Sequence, residues 1–179
     1  MSAGHQLKFQ CLAGAFAILR LAPDASVPEW ATKGEFSSIT RTADELSIVC
    51  LADHLPGDVD SQPRWICLKL EGPFPFSQTG VLLSFIEPLS SKGIPIFAIS
   101  TYDTDYVLIQ EEFAGMALDS LQQAGHELLG GTYRELGSGR QESKPATRGR
   151  RDHAEIAERT LRRSAIDLVT YSCPFNPWN

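Results

Sequence analysis

Two stretches of this chain, about 60 residues apart, are written to one plan. Ser38 to Val49 reads SITRTADELSIV, and Ala98 to Ile109 reads AISTYDTDYVLI. Each is an apolar strand, a polar turn carrying Thr and Asp, and a second apolar strand, which is the pattern of a hairpin. Each follows a strand-like run: Phe16 to Leu21 in the first copy, Trp65 to Leu70 in the second. A chain that writes strand-then-hairpin twice is expected to build two like modules.

The second copy is the fuller. Trp65 to Leu70 alternates, with Ile66, Leu68 and Leu70 on one face. Glu71-Gly72-Pro73 makes a turn. Ser77 to Ser91 reads as a helix with Val81, Leu82, Phe85, Ile86 and Leu89 at core spacing, Ser77 as its N-cap and Gly93 as its stop. After the hairpin, Phe113 to Ala124 is a second helix ended by Gly125, and His126 to Leu129 is a last short strand. The order β-α-β-β-α-β, with right-handed crossovers, places both helices on one face of an antiparallel sheet, the ferredoxin-like sandwich.

The first copy is degraded. Val27 to Thr32 (VPEWAT) is too short for a full helix, and Asp53 to Gln62 reads as a loop. Phe9 to Leu19 faintly imitates a signal peptide after Lys8, but reads better as a strand broken by Gly14. The expected fold class is α+β: two ferredoxin-like modules, the first degraded, sharing an extended antiparallel sheet with helices on one face. The expected divisions are 1–62, 63–130 and 131–179.

Charge changes character at the last boundary. Residues 1–130 hold 7 Lys+Arg and 16 Asp+Glu, net −9; residues 131–179 hold 9 and 6, net +3, and the two sum to −6. Gly137 to Arg151 lacks any large apolar residue and reads as a flexible basic linker. Asp152 to Leu168 reads as a loosely amphipathic helix with Asp152 as N-cap and Glu155 at capping-box spacing. With 42% hydrophobic and 21% charged residues, a packed core is within reach, and a negative total argues against nucleic acid as a partner. No run of 18 apolar residues suggests a membrane span, and the cytoplasm is expected. Cys11, Cys50, Cys67 and Cys173 form no CxxC pair and read as free thiols of a reducing compartment. His5, His54, His126 and His153 are scattered, so no zinc site and no other cofactor is expected.

No GxSxG, GxGxxG or phosphate-loop pattern is present, which disfavours an enzyme. Two features could carry binding. The loop Glu71 to Gly80 (EGPFPFSQTG) delivers a helix N-terminus, whose unpaired N–H groups accept an anion such as an α-carboxylate, with Gly80 allowing close approach. The same residues are equally readable as a turn and small-residue packing. The hairpin tip Ser100 to Asp105 puts Asp103 and Asp105 on one face by strand alternation, a pair able to hold an ammonium or guanidinium, or simply a solvated turn. A divalent metal there is weaker, for want of a third carboxylate.

From Phe36 to Gly125, FSSITRTADELSIVC followed by WICLKLEGPFPFSQTGVLLSFIEPLSSKGIPIFAISTYDTDYVLI resembles the ACT-domain family, in the tandem type found in CASTOR-like arginine sensors and in small two-module bacterial proteins. The resemblance spans about 115 residues counted from Leu12. It implies a β-α-β-β-α-β module that binds amino acids between modules. Gln78, Thr79 and Gly80 match the helix-entry loop that holds the ligand, Ser100, Thr101 and Tyr102 the facing strand, and Asp105 the aspartate that holds a guanidinium. Gln78 departs from the sensor pattern, which is acidic there, and this chain reads as two modules where the sensors have four. The resemblance therefore implies a non-enzymatic amino-acid binder, its ligand cationic, acting as a homodimer. The alternative is an interaction scaffold or an enzyme regulatory subunit that binds nothing small.

Overall fold

A computed structural model describes residues 6–57 and 63–130. The expected helix at 152–168, the linker at 137–151 and Cys173 lie outside the described residues. The chain runs through β1 (Lys8–Cys11), β2 (Phe16–Leu21), β3 (Ser38–Arg41), β4 (Leu46–Leu51), β5 (Trp65–Leu70), α1 (Val81–Ser91), β6 (Phe97–Ser100), β7 (Asp105–Gln110), α2 (Ala114–Gln123) and β8 (Glu127–Leu129). Short 3-10 turns occupy Glu29–Thr32, Ala52–His54 and Glu111–Phe113.

In this α+β fold the described strands form one mixed sheet of eight. In the first half β3, β4 and β2 pair antiparallel, and in the second half β6, β7 and β5 do the same. The halves meet where Phe16 of β2 stands opposite Trp65 of β5. Both hairpins and the strand before each stand where the repeated text implies. The apolar run after Lys8 is two strands rather than one interrupted strand. Gly14 turns the chain with φ 83°, in a conformation that favours glycine, and a Cβ there would meet the Leu51 side chain at 2.8 Å. The turn sends β1 away from β2 and into the second half, where it lies antiparallel to β5 and parallel to β8. The outer strand β8 is therefore separated from β5 by a strand from the start of the chain, and β1–β8 is the sheet's parallel pair.

The two faces of the second half are filled differently. Ile66, Leu68 and Leu70 of β5, with Val107 and Ile109 of β7 and Phe9 of β1, pack under Val81, Phe85 and Leu89 of α1 and Ala114, Ala117 and Leu121 of α2. Phe9 and Phe85 meet edge to face at 5.1 Å. Both helices thus cover one face. The alternate residues Cys67 and Leu108 point the other way and cluster with Phe16 and Val49 of the first half. Phe36 joins the halves, packing edge to face with Phe16 at 5.8 Å and stacking on Tyr106 at 4.3 Å. Burial there holds the Tyr106 hydroxyl above its ordinary pKa. In the first half Ala31, from the 3-10 turn, covers Leu19, Leu21, Leu46 and Ile48, where the second half has helices.

A buried histidine ties Leu7, the residue before β1, to α1. Pro88 lies inside α1 and has no N–H, so the carbonyl of Ser84, four residues earlier, lacks its helical donor. His126 Nε2 stands 3.1 Å from that carbonyl, and its Nδ1 stands 3.2 Å from the Leu7 amide. The neutral tautomer with the proton on Nε2 satisfies both. Burial lowers the His126 pKa, only partly opposed by the bond to Ser84. Cys50 and Cys67 are buried and Cys11 half-buried, all as free thiols, with burial pushing Cys11 and Cys50 up to about 11 and Cys67 higher still.

Candidate binding cleft

Loop 71–80 and the β6–β7 hairpin are fastened together, and a cleft opens beside the fastening. The Phe74 amide donates to the Asp103 carbonyl at 2.8 Å, and the Thr104 hydroxyl donates to the Leu70 carbonyl at 2.7 Å. The approach is close enough that a Cβ at Gly72 would stand 2.6 Å from the Asp103 carbonyl oxygen, so glycine is required there. The hairpin tip is closed by the Thr101 amide and hydroxyl, which donate to the Thr104 carbonyl at 2.9 and 2.8 Å.

The cleft has a volume of about 440 Å³. One wall is the start of α1. That helix begins at Val81, four residues later than the helix expected from Ser77, because the Gln78 amide closes a turn onto the Pro75 carbonyl at 2.8 Å. Ser77 is consequently no N-cap. Gly80 holds that position at φ 80°, in the left-handed region, and has no side chain with which to cap the helix. The first helical bond is Ser84 N to Gly80 O at 2.9 Å. The amides of Val81, Leu82 and Leu83 therefore have no acceptor within the helix.

The facing wall is the hairpin. Ser100 and Asp105 are paired across β6 and β7, and the Ser100 hydroxyl donates to the Asp105 carboxylate at 2.5 Å. Alternation along β7 puts Asp105 on the same face as Val107 and Ile109, toward α1 rather than toward the first half. Asp103 is not related to Asp105 by strand alternation as expected, since residues 101–104 form the turn; it nonetheless lines the same cleft.

Of the residues singled out by the sequence, Gln78, Gly80, Ser100, Thr101, Tyr102 and Asp105 all line this cleft, whereas Thr79 sits in the loop but off the lining. At Gly80 the positive φ by itself favours glycine. Sequence reasoning passed over the apolar part of the lining, Phe74, Phe76, Leu82 and Leu83. Phe76 and Tyr102 are each 79% exposed and touch edge to face at 5.2 Å, and Leu83 is 63% exposed. The signal for Phe74 and Phe76 was present in the two Pro-Phe steps of PFPF, which place large apolar rings in a loop. The lining holds two carboxylates and no Lys, Arg or His. A helix N-terminus that favours an anion, a carboxylate that favours a cation, and apolar rings between them suit a small zwitterion.

A family model for the ACT domain matches residues 60–123, and the model of a further family's N-terminal domain matches residues 14–58. An Agrobacterium tumefaciens protein solved by X-ray crystallography is 45% identical, with a TM-score of 0.64, over 70% of this chain and 94% of its own. A Vibrio cholerae protein of unknown function, described as a possible transport protein, matches at 19% identity and TM-score 0.53 over 63% of this chain and 85% of its own. The aspartate kinase of Clostridium acetobutylicum, described as an allosteric enzyme, matches at 13% identity and TM-score 0.51 over 68% of this chain but 35% of its own. These last two likenesses concern the fold. The ACT match covers the half that carries both helices, and with 45% identity over nearly all of that relative's length the chain belongs to one family with the Agrobacterium protein.

Proposed function

We propose that this chain is a non-catalytic regulatory protein that binds an amino acid in the cleft between α1 and the β6–β7 hairpin. The observation that carries this reading is the meeting, in one cleft, of a helix N-terminus begun by Gly80 and the Asp105 carboxylate. In this reading the ligand carboxylate accepts from the amides at Val81 to Leu83. Its cationic group lies against Asp105, which Ser100 orients by donating to it at 2.5 Å. The ring pair of Phe76 and Tyr102 covers the ligand's apolar stem and offers a π-face to a cation. The uncharged Gln78 leaves the site with less negative charge than the arginine sensors that the sequence resembles, so lysine and ornithine belong in the test beside arginine.

Titration calorimetry with the amino acids tests the proposal. A cationic amino acid is expected to bind. Asp105→Ala is expected to weaken it by about 2 kcal/mol, the lower end for losing one partner of a charge pair, since Asp105 remains half-exposed. That is about 30-fold in Kd. Absence of binding by any amino acid at millimolar concentration, or full affinity in Asp105→Ala, overturns it; the first result favours the scaffold alternative.

A further inference from the structure

The cleft has a second candidate occupant in the chain itself. The last strand among the described residues, β8, ends at Leu129. The 49 residues that follow, from 131 to 179, carry nine basic residues, eight of them Arg. The densest part is residues 140–151, with Arg140, Lys144, Arg148, Arg150 and Arg151 against the single acid Glu142. Residues 1–130, by contrast, carry net −9. The cleft adds to that general attraction a specific complement for guanidinium. Asp103 and Asp105 accept charge-assisted hydrogen bonds, the exposed rings of Phe76 and Tyr102 offer stacking faces, and the lining holds no cation to repel one.

We infer that residues 140–151 dock in this cleft as an intramolecular occupant that a small cationic ligand must displace. Reach permits it. From β8 to β6 the sheet is four strand spacings wide, about 19 Å. The ten residues from Gly130 to Arg140 extend to about 33 Å. A tether of that length sets an effective concentration on the order of millimolar, so even a contact of millimolar affinity is substantially occupied. The inference concerns the same cleft as the proposed function but not the same ligand, and it stands or falls without any amino acid present.

The test compares amide NMR spectra of the full chain and a chain ended at Gly130. The shorter chain keeps every strand and helix described, and 70% of this chain matches 94% of the solved Agrobacterium chain. The amides of Leu83, Tyr102 and Asp103 are expected to differ between the two. A synthetic peptide of residues 138–153 added to the shorter chain should move them toward their full-chain positions. The double substitution Asp103→Asn, Asp105→Asn should weaken that peptide about two- to tenfold. Coincident spectra at those amides overturn the inference. So does peptide binding indifferent to the double substitution. Differences that fade on tenfold dilution also overturn it, because they assign the occupant to a second copy of the chain.

Discussion

Replacing His126 with leucine should expose how much of this fold depends on one satisfied ring. The substitution keeps an apolar group against Phe85, whose ring centroid lies 5.3 Å from that of His126. It removes the acceptor of the Leu7 amide and the donor to the Ser84 carbonyl, which stand 3.2 and 3.1 Å from the ring. A buried polar group left unpaired costs about 1–3 kcal/mol. Leu7 is 6% exposed and should incur the full penalty, while Ser84 is half-buried and can recruit water, so the sum is about 2–4 kcal/mol. The cause is traceable by a second substitution. Pro88→Ala returns an N–H to position 88, four residues beyond Ser84, and so supplies the missing helical donor. It should therefore stabilise by about 1–2 kcal/mol more in the His126→Leu background than in the natural one. Urea unfolding of all four proteins followed by circular dichroism reads the coupling. The pH dependence has a determined sign. The unfolded ring titrates near 6.5 and the folded ring lower. Between those values the unfolded chain binds more protons, so the histidine's contribution is complete above pH 6.5 and lost as pH falls through the folded pKa. His126→Leu should abolish that component of the acid sensitivity. Equal effects of Pro88→Ala in both backgrounds would refute the reasoning, as would an unchanged pH profile.

Three further outcomes are expected. Gly80→Ala should cost about 1–2 kcal/mol of stability in urea unfolding, because position 80 holds φ 80° while a Cβ there meets nothing within 4 Å; a neutral result would place the helix start elsewhere. Phe36→Ala should cost about 3 kcal/mol and loosen the first half from the second, since its ring bridges Phe16 and Tyr106; amide exchange in β2 and β4 should quicken more than in β5 and β7. The family resemblance and the open edges of β3, β6 and β8 point to a two-fold homodimer burying about 1,000 Å² or more, and light scattering showing a monomer at tens of micromolar would contradict it.

Much of this molecule was written locally. The two hairpins, the strand before each and both helices of the second half follow from period-2 and helical spacing of apolar residues, which act within a few residues of one another. The loop and hairpin that line the cleft were legible for the same reason: EGPFPFSQTG and STYDTD interrupt apolar runs with residues that turn the chain. Four things were not written in the spacing of apolar residues. The start of α1 moved from Ser77 to Val81 because a Pro75–Gln78 turn consumed the amide of Gln78. Asp103 left the strand because the Thr104 carbonyl captured both donors of Thr101. The destination of β1 was invisible, since a strand's own text says nothing of which edge it joins; pairing with β5 and β8 is decided where Phe9 finds Phe85. His126 acquired its role only when folding brought it to a carbonyl that Pro88, far away in sequence, had left without a donor. Sequence patterning thus settles which elements form, because its interactions are short-ranged. Which elements become neighbours, and which polar groups must then satisfy one another, is decided by the tertiary packing that removes them from water.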